Sequence, residues 1–280
     1  MSNLERTPTS TGNRVKATWS FWVKRNTLSP SSSRYLFYAS SGSGADAVRY
    51  NDDDGGDSLR SLFWDGTANN GFINFDKLRD TSSWQHILIV YDSTLNTKDE
   101  FSNNDQTLER IKIFVNGRRM IETGGNSAQN VGVGTNQLLS RWGNAGIVNA
   151  LFATDTGSSG ALITTFDAYF VDGQALTPDV FGFYKDGNGH ISLGSSLATD
   201  FKPGQWVPKT PRVIKAQIER NGGFGVNGFY LPMNDSSNFG ADFHTTPNSI
   251  ITLKGGDLPQ PKNGAPTTTD NYISQLRTDP

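Results

Sequence analysis

Three histidines, His86, His190 and His244, are the side chains best placed to titrate or to bind metal near neutral pH. They fall in three unrelated contexts with no His-x-x-x-His or similar spacing, so no metal trio is expected from them. His86 lies between Gln85 and Ile87 in a β-branched run and reads as an ordinary strand residue rather than a general base. Retaining glycoside hydrolysis needs two carboxylates held roughly 5 Å apart on rigid elements. No Glu stands two to four residues from another acid within a candidate core strand, and Asp99 with Glu100 falls in a polar loop. A Gly-x-Ser-x-Gly elbow and a phosphate loop are both missing. No catalytic residue, cofactor-binding residue or metal ligand is assigned on these grounds; the ligand-binding residues are left open, and the expectation is a protein that is not an enzyme.

Two other residue sets bear on binding. The acidic run Asn51-Asp52-Asp53-Asp54-Gly55-Gly56-Asp57 offers oxygen ligands of the kind calcium takes. Gly55 occupies the place of a third ligand, however, and Leu62 stands where a closing Glu would be, so the run reads as a solvated hairpin end. Six tryptophans offer faces on which a pyranose can stack. Trp19, Trp22 and Trp84 lie in candidate core strands and read as core filling, whereas Trp64, Trp142 and Trp206 fall near turns and stay open between packing and contact.

The elements that must position these residues are strands. Only five of the 27 acids are Glu; the rest are Asp, and with 30 Gly they favour turns over helices. Val15 to Val23 alternates and fills with aromatics, as a strand buried mainly on one face would. Arg34 to Ala39, Ala45 to Tyr50 and Ser58 to Trp64 follow as a meander. Trp84 to Asp92 reads as a central strand, and Glu109 to Val115, Asn116-Gly117 and Arg118 to Glu122 form a hairpin on residues that tolerate positive φ. Between them, Ser93 to Thr107 is a polar excursion. Ala161 to Val171 is a long strand ending at Asp172-Gly173, and Thr177-Pro178-Asp179 starts a short helical turn through Phe181.

After about residue 195 eight prolines, from Pro203 to Pro266, are expected to break any long element. The division is therefore 1–195 as the main domain and 196–280 as a Pro/Gly-rich C-terminal segment. Short strands are expected there at Gly225 to Leu231 and Ser249 to Leu253, with a linker at Gly255 to Thr269 and a further element opening at Ile273 to Leu276.

A net charge of −2, from 25 basic and 27 acidic residues, supplies no field for nucleic acid. Arg118-Arg119 reads as the charged exit of the hairpin. The chain has no cysteine, which excludes disulfides and thiolate-ligated metal. Met1 to Asn13 lacks a basic end followed by an apolar run, and no stretch is apolar enough to insert into a membrane, so folding in a reducing cytosol is the simplest expectation.

Trp84 to Asp92, with Ile111 to Gly117 and its Phe-Val-Asn-Gly turn, resembles the paired core strands of laminin-G-like and concanavalin A-like domains. Asp167 to Pro178, with Phe181-Gly182 after it, resembles the strand and short helix that close that sandwich. Arg6-Thr7-Pro8, Gly12-Asn13-Arg14, Thr18 to Arg25, Trp206-Val207-Pro208-Lys209 and Gly225 to Leu231 are similar to segments of marine bacteriophage virion structural proteins. The resemblance implies an all-β, two-sheet antiparallel jelly-roll sandwich with a loop-rich C-terminal extension. It implies a virion protein assembled in the host cytoplasm and displayed on the particle, as tail fibre, appendage or capsid decoration. Its partners would be other virion proteins, copies of itself and host surface glycans, with no cofactor. The alternatives kept beside it are a free-standing carbohydrate-binding lectin domain and a glycoside hydrolase of the same fold.

Overall fold

The computed structural model describes residues 3–28, 33–50, 57–67, 69–70, 77–97, 109–120, 133–160, 163–188, 191–192, 204–235, 237–244 and 252–254. In chain order the strands are β1 (Asn3–Arg6), β2 (Lys16–Arg25), β3 (Arg34–Ser40), β4 (Ala45–Tyr50), β5 (Leu59–Trp64), β6 (Asn69–Asn70), β7 (Gln85–Asp92), β8 (Ile111–Val115) and β9 (Arg118–Arg119). They continue as β10 (Asn149–Leu151), β11 (Ile163–Asp172), β12 (Gly182–Lys185), β13 (Ile191–Ser192), β14 (Gln205–Pro208), β15 (Phe229–Leu231) and β16 (Thr252–Lys254). A 3-10 turn spans Pro178–Val180, and one α-helix, α1, spans Pro211–Arg220.

Among the described residues the strands form two large antiparallel sheets. The front sheet runs β16-β1-β10-β3-β4-β5-β6 and the back sheet β15-β11-β2-β7-β8-β9; a small sheet, β13-β12-β14, stands apart. The all-β two-sheet sandwich expected from the sequence is the fold observed. Its core lies between the large sheets, where Trp19 of β2 stacks on Phe37 of β3 at 4.5 Å and 6°, and Trp142 meets both rings edge-on. Removing one such buried ring costs about 3–5 kcal/mol.

The hairpin forms as expected. Asn116 (φ 50°) and Gly117 (φ 74°) both take positive φ, as the favoured two-residue turn requires. Asn116 also exchanges bonds with His86: its Oδ1 accepts the His86 backbone N–H, and its own N–H donates to the His86 carbonyl, each at 2.8 Å.

Three expectations are corrected. β2, expected to be buried mainly on one face, is buried on both, because a second apolar layer lies behind the back sheet. The prolines after residue 195 do not break every long element: Pro211 opens the ten-residue α1 at its first turn, where a missing N–H costs nothing. Ile214 and Ile218, one turn apart, bury their side chains in that second layer. Asp57, expected at a solvated hairpin end, is buried and bonds Arg25 at 2.8 Å and Arg79 at 3.2 Å. Residues 51–56 of that acidic run lie outside the described residues, as do most of the polar excursion, residues 121–122 of the hairpin's return, His190, residues 249–251, the linker and the element expected at Ile273 to Leu276.

Asn227 joins distant parts of the chain. Its Nδ2 donates to the carbonyls of Ser10 and Gly143, its N–H donates to Asp172 Oδ2, and its own carbonyl groups accept from the Arg6 guanidinium. β15, which follows it, pairs with β11 and so extends the back sheet. No helix among the described residues is long and apolar enough to cross a membrane.

Candidate functional site

The outer face of the back sheet is divided by what covers it. Over one half, Leu88, Val90, Tyr169 and Val171 are sealed by Ile214 and Ile218 of α1, by Val180 and Phe181, and by Phe224. Over the other half the cover consists of two rings from the small sheet, Trp206 and Tyr184, against Trp22 and Phe166. Period-two alternation along β2 sends Ser20, Trp22 and Lys24 to this face while Trp19, Phe21 and Val23 enter the core. A β-bulge in β11 between Phe166 and Tyr169 keeps both of those side chains outward, on either side of Asp167 at φ 48°.

The result is a continuous row of rings. Trp84 meets Phe166 edge-on at 4.7 Å, Phe166 stacks on Trp22 at 5.8 Å, and Trp22 lies 5.2 Å from His86. His86 lies 5.9 Å from Trp206, which meets Tyr184 at 5.0 Å. The two ends, Trp84 and Tyr184, are half-buried, and the middle is closed. Trp206 can lie this close to the sheet because Gly117 and Gly182 present no side chain under its ring.

His86 superficially offers a serine–histidine pair, since Ser20 Oγ is 2.8 Å from its Nε2. The other nitrogen decides its role. Trp206 Nε1 can only donate, and it donates to His86 Nδ1 at 3.2 Å, so Nδ1 is unprotonated and Nε2 carries the proton toward Ser20. Nε2 therefore cannot take the serine proton, and burial pushes the imidazole down to about 3.

Several other buried titratable groups of the scaffold are likewise committed. Asp46 accepts backbone N–H groups of Trp64, Arg141 and Trp142 at 2.7 to 3.0 Å, and burial raises it to about 6. Asp167 accepts the Tyr230 hydroxyl at 2.7 Å and is raised by burial to about 7. Asp172, holding the Asn227 N–H, is raised by burial to about 6. His244 Nδ1 faces Asp242 at 2.8 Å. Among the described residues no group of three or more His, Asp or Glu gathers in a way that would hold a metal ion.

At the Trp84 end the row opens onto polar groups. Lys24 pairs in register with Thr164 of β11, and extending the β2–β7 register by one residue sets Trp84 opposite Lys24. Lys24 and Thr164 are both half-buried, and Thr164 Oγ1 lies 3.4 Å from Asn26 Oδ1. An aromatic ring, a cation and a hydroxyl thus share one edge of the sheet. The front sheet has a smaller aromatic pair on its outer face, Tyr35 and Tyr38 at 4.9 Å, but the neighbouring Arg49 is already bonded to Ser33.

Of the six tryptophans, Trp19 and Trp142 are core, Trp64 lies over Gly44, and Trp22, Trp84 and Trp206 belong to the outer row. Sequence reasoning missed Lys24, Phe166 and Tyr184. The first was legible from the Ser20-Trp22-Lys24 alternation; the second was hidden by the bulge, which shifts the face of every β11 residue before it.

No curated protein matches the chain. Among the solved structures that resemble it, three of low identity are the following. The native heptameric SAP-like pentraxin from Limulus polyphemus is 13% identical, with 63% of this chain and 72% of that chain covered and a TM-score of 0.38. Domain 4 of AbnA, a GH43 extracellular arabinanase from Geobacillus stearothermophilus, in complex with arabinotriose, is 18% identical over 59% of this chain and 64% of that one, with a TM-score of 0.29. The receptor binding domain of botulinum neurotoxin mosaic serotype C/D is 9% identical over 71% and 55%, with a TM-score of 0.31. The Laminin_G_3 family model matches residues 3–162, more than half of the sequence, and the chain belongs to that family of the concanavalin A-like lectin/glucanases superfamily.

Proposed function

We propose that this chain is a non-catalytic carbohydrate-binding module of a phage virion, displayed on the particle as a tail fibre, appendage or capsid decoration after assembly in the host cytoplasm. The observation that carries the binding reading is the open end of the ring row, where half-buried Trp84 stands beside Lys24 and Thr164. An aromatic face stacks on the apolar face of a pyranose, and polar groups at its border fix the sugar's orientation. The non-catalytic reading is supported by the inverted Ser20–His86 bond and by carboxylates already engaged within the scaffold. The virion reading is supported by the resemblance around Arg6, Gly12 to Arg14, Trp206 and Gly225 to Leu231, with other virion proteins and copies of the chain as its partners.

Glycan-array binding of the full chain, compared with Trp84→Ala, tests the site; unchanged binding in the variant removes it. Antibody labelling of intact particles tests the placement. Label at the tail supports a fibre and label over the head supports decoration, whereas absence of the protein from purified particles leaves a free-standing lectin.

A further inference from the structure

The cation at the open end of the ring row, Lys24, restricts which sugars suit it. Lysines elsewhere on the surface reach an acceptor: Lys16 pairs with Asp92 at 3.0 Å, Lys112 with Glu109 at 3.4 Å, and Lys209 and Lys215 bond carbonyl oxygens. Lys24 is half-buried between Trp84 and Thr164 and, among the described residues, its side-chain ammonium has neither an ion pair nor a hydrogen bond. Its neighbours on the row are apolar, neutral or aromatic: Trp22, Phe166, Thr164 and Trp84. Partial desolvation without a counter-charge makes an ammonium a strong attractor for an anion brought to it.

We propose that the Trp84 end recognises an acidic saccharide, a pyranose bearing a carboxylate or sulfate, with the ring stacked on Trp84 and the anion on Lys24 Nζ. The inference rests on the carbohydrate-binding reading of this same edge and narrows it to one ligand class.

Affinity electrophoresis of the full chain in gels containing polygalacturonate, dextran sulfate or unsubstituted dextran tests this. The expected result is retardation by at least one acidic polymer, weakened roughly five- to tenfold in Lys24→Gln and by added salt, with Lys112→Gln behaving as wild type. Comparison of the two acidic gels distinguishes carboxylate from sulfate. Equal retardation of Lys24→Gln and wild type in the acidic gels overturns the proposal. Retardation by dextran alone, lost in Trp84→Ala, overturns it while leaving the neutral-sugar reading intact. No retardation in any gel removes both.

Discussion

Trp206 donates its indole N–H to His86 Nδ1 at 3.2 Å, and that one bond sets the tautomer of the most deeply buried imidazole in the described structure. With the proton held on Nε2 toward Ser20, His86 is expected to stay neutral until about pH 3. Unfolded, the same ring takes up a proton near pH 6.5. Its contribution to stability is therefore complete above pH 6.5 and is lost progressively as pH falls toward 3. Urea midpoints from pH 7 to pH 4 should decline less steeply in His86→Gln than in wild type, and nitrogen-detected NMR should show the Nε2–H form throughout. A wild-type imidazole that titrates near pH 6 would refute the assignment.

Asp167 has the opposite sign. Its folded value, raised by burial to about 7, exceeds the unfolded one, so the folded chain keeps a proton that the unfolded chain releases. Stability from this residue is greatest below about pH 4, falls between 4 and 7, and is level above. The loss is on the order of 4 kcal/mol at most. Asp167→Asn retains an oxygen to accept the Tyr230 hydroxyl and carries no charge, so the variant should gain on wild type as pH rises through that window. A difference between the two that is constant from pH 4 to 8 would count against a neutral Asp167.

The sandwich was legible because its strands carry local signals. Asn116-Gly117 announces its hairpin through φ alone, and Trp84 to Asp92 is too β-branched to be a helix. What lay hidden was long-range. Alternation along Val15 to Val23 implied one solvated face, and nothing near β2 in sequence reveals that Ile214, Ile218 and Trp206 cover the other. Pro211 was misread because its residue type breaks helices everywhere except at the first turn, where it stands. The binding edge was half legible: Trp84 was read as core, while Lys24, one step along the same alternation as Trp22, acquires meaning only when the register sets it opposite Trp84.

Asp57 tests whether a buried charge is supported by its partners. Arg25 is buried, bonds the Leu78 carbonyl at 2.6 Å and lies 4.3 Å from the Tyr50 ring centre, so its charge has Asp57 as its near counter-ion. Asp57→Asn, which accommodates φ 69° as Asp does, should cost about 3–5 kcal/mol in chemical denaturation because Arg25 is left uncompensated. Arg79 is 59% exposed, so Arg79→Ala should cost under about 1 kcal/mol. Similar losses in both variants would mean that packing, and not charge, holds this corner.

Trp206 and Gly182 are coupled by volume. A Cβ on Gly182 would stand 2.5 Å from Trp206 Cζ2 and 2.8 Å from the Val207 carbonyl oxygen, both well inside contact distance. The ring can yield only by leaving His86, whereas the β12–β14 backbone can yield only by breaking the pair Gly182–Pro208. Gly182→Ala should therefore cost about 1–3 kcal/mol, the usual penalty of overpacking. Trp206→Leu removes the clash together with the N–H that bonds His86, and has its own cost. If the clash with the ring dominates, the double variant will be more stable than the sum of the two single losses predicts, by 0.5 kcal/mol or more in a double-mutant cycle. Simple additivity would instead place the Gly182 constraint on the Val207 carbonyl, and the small sheet would then be held against the hairpin by its backbone rather than by the indole.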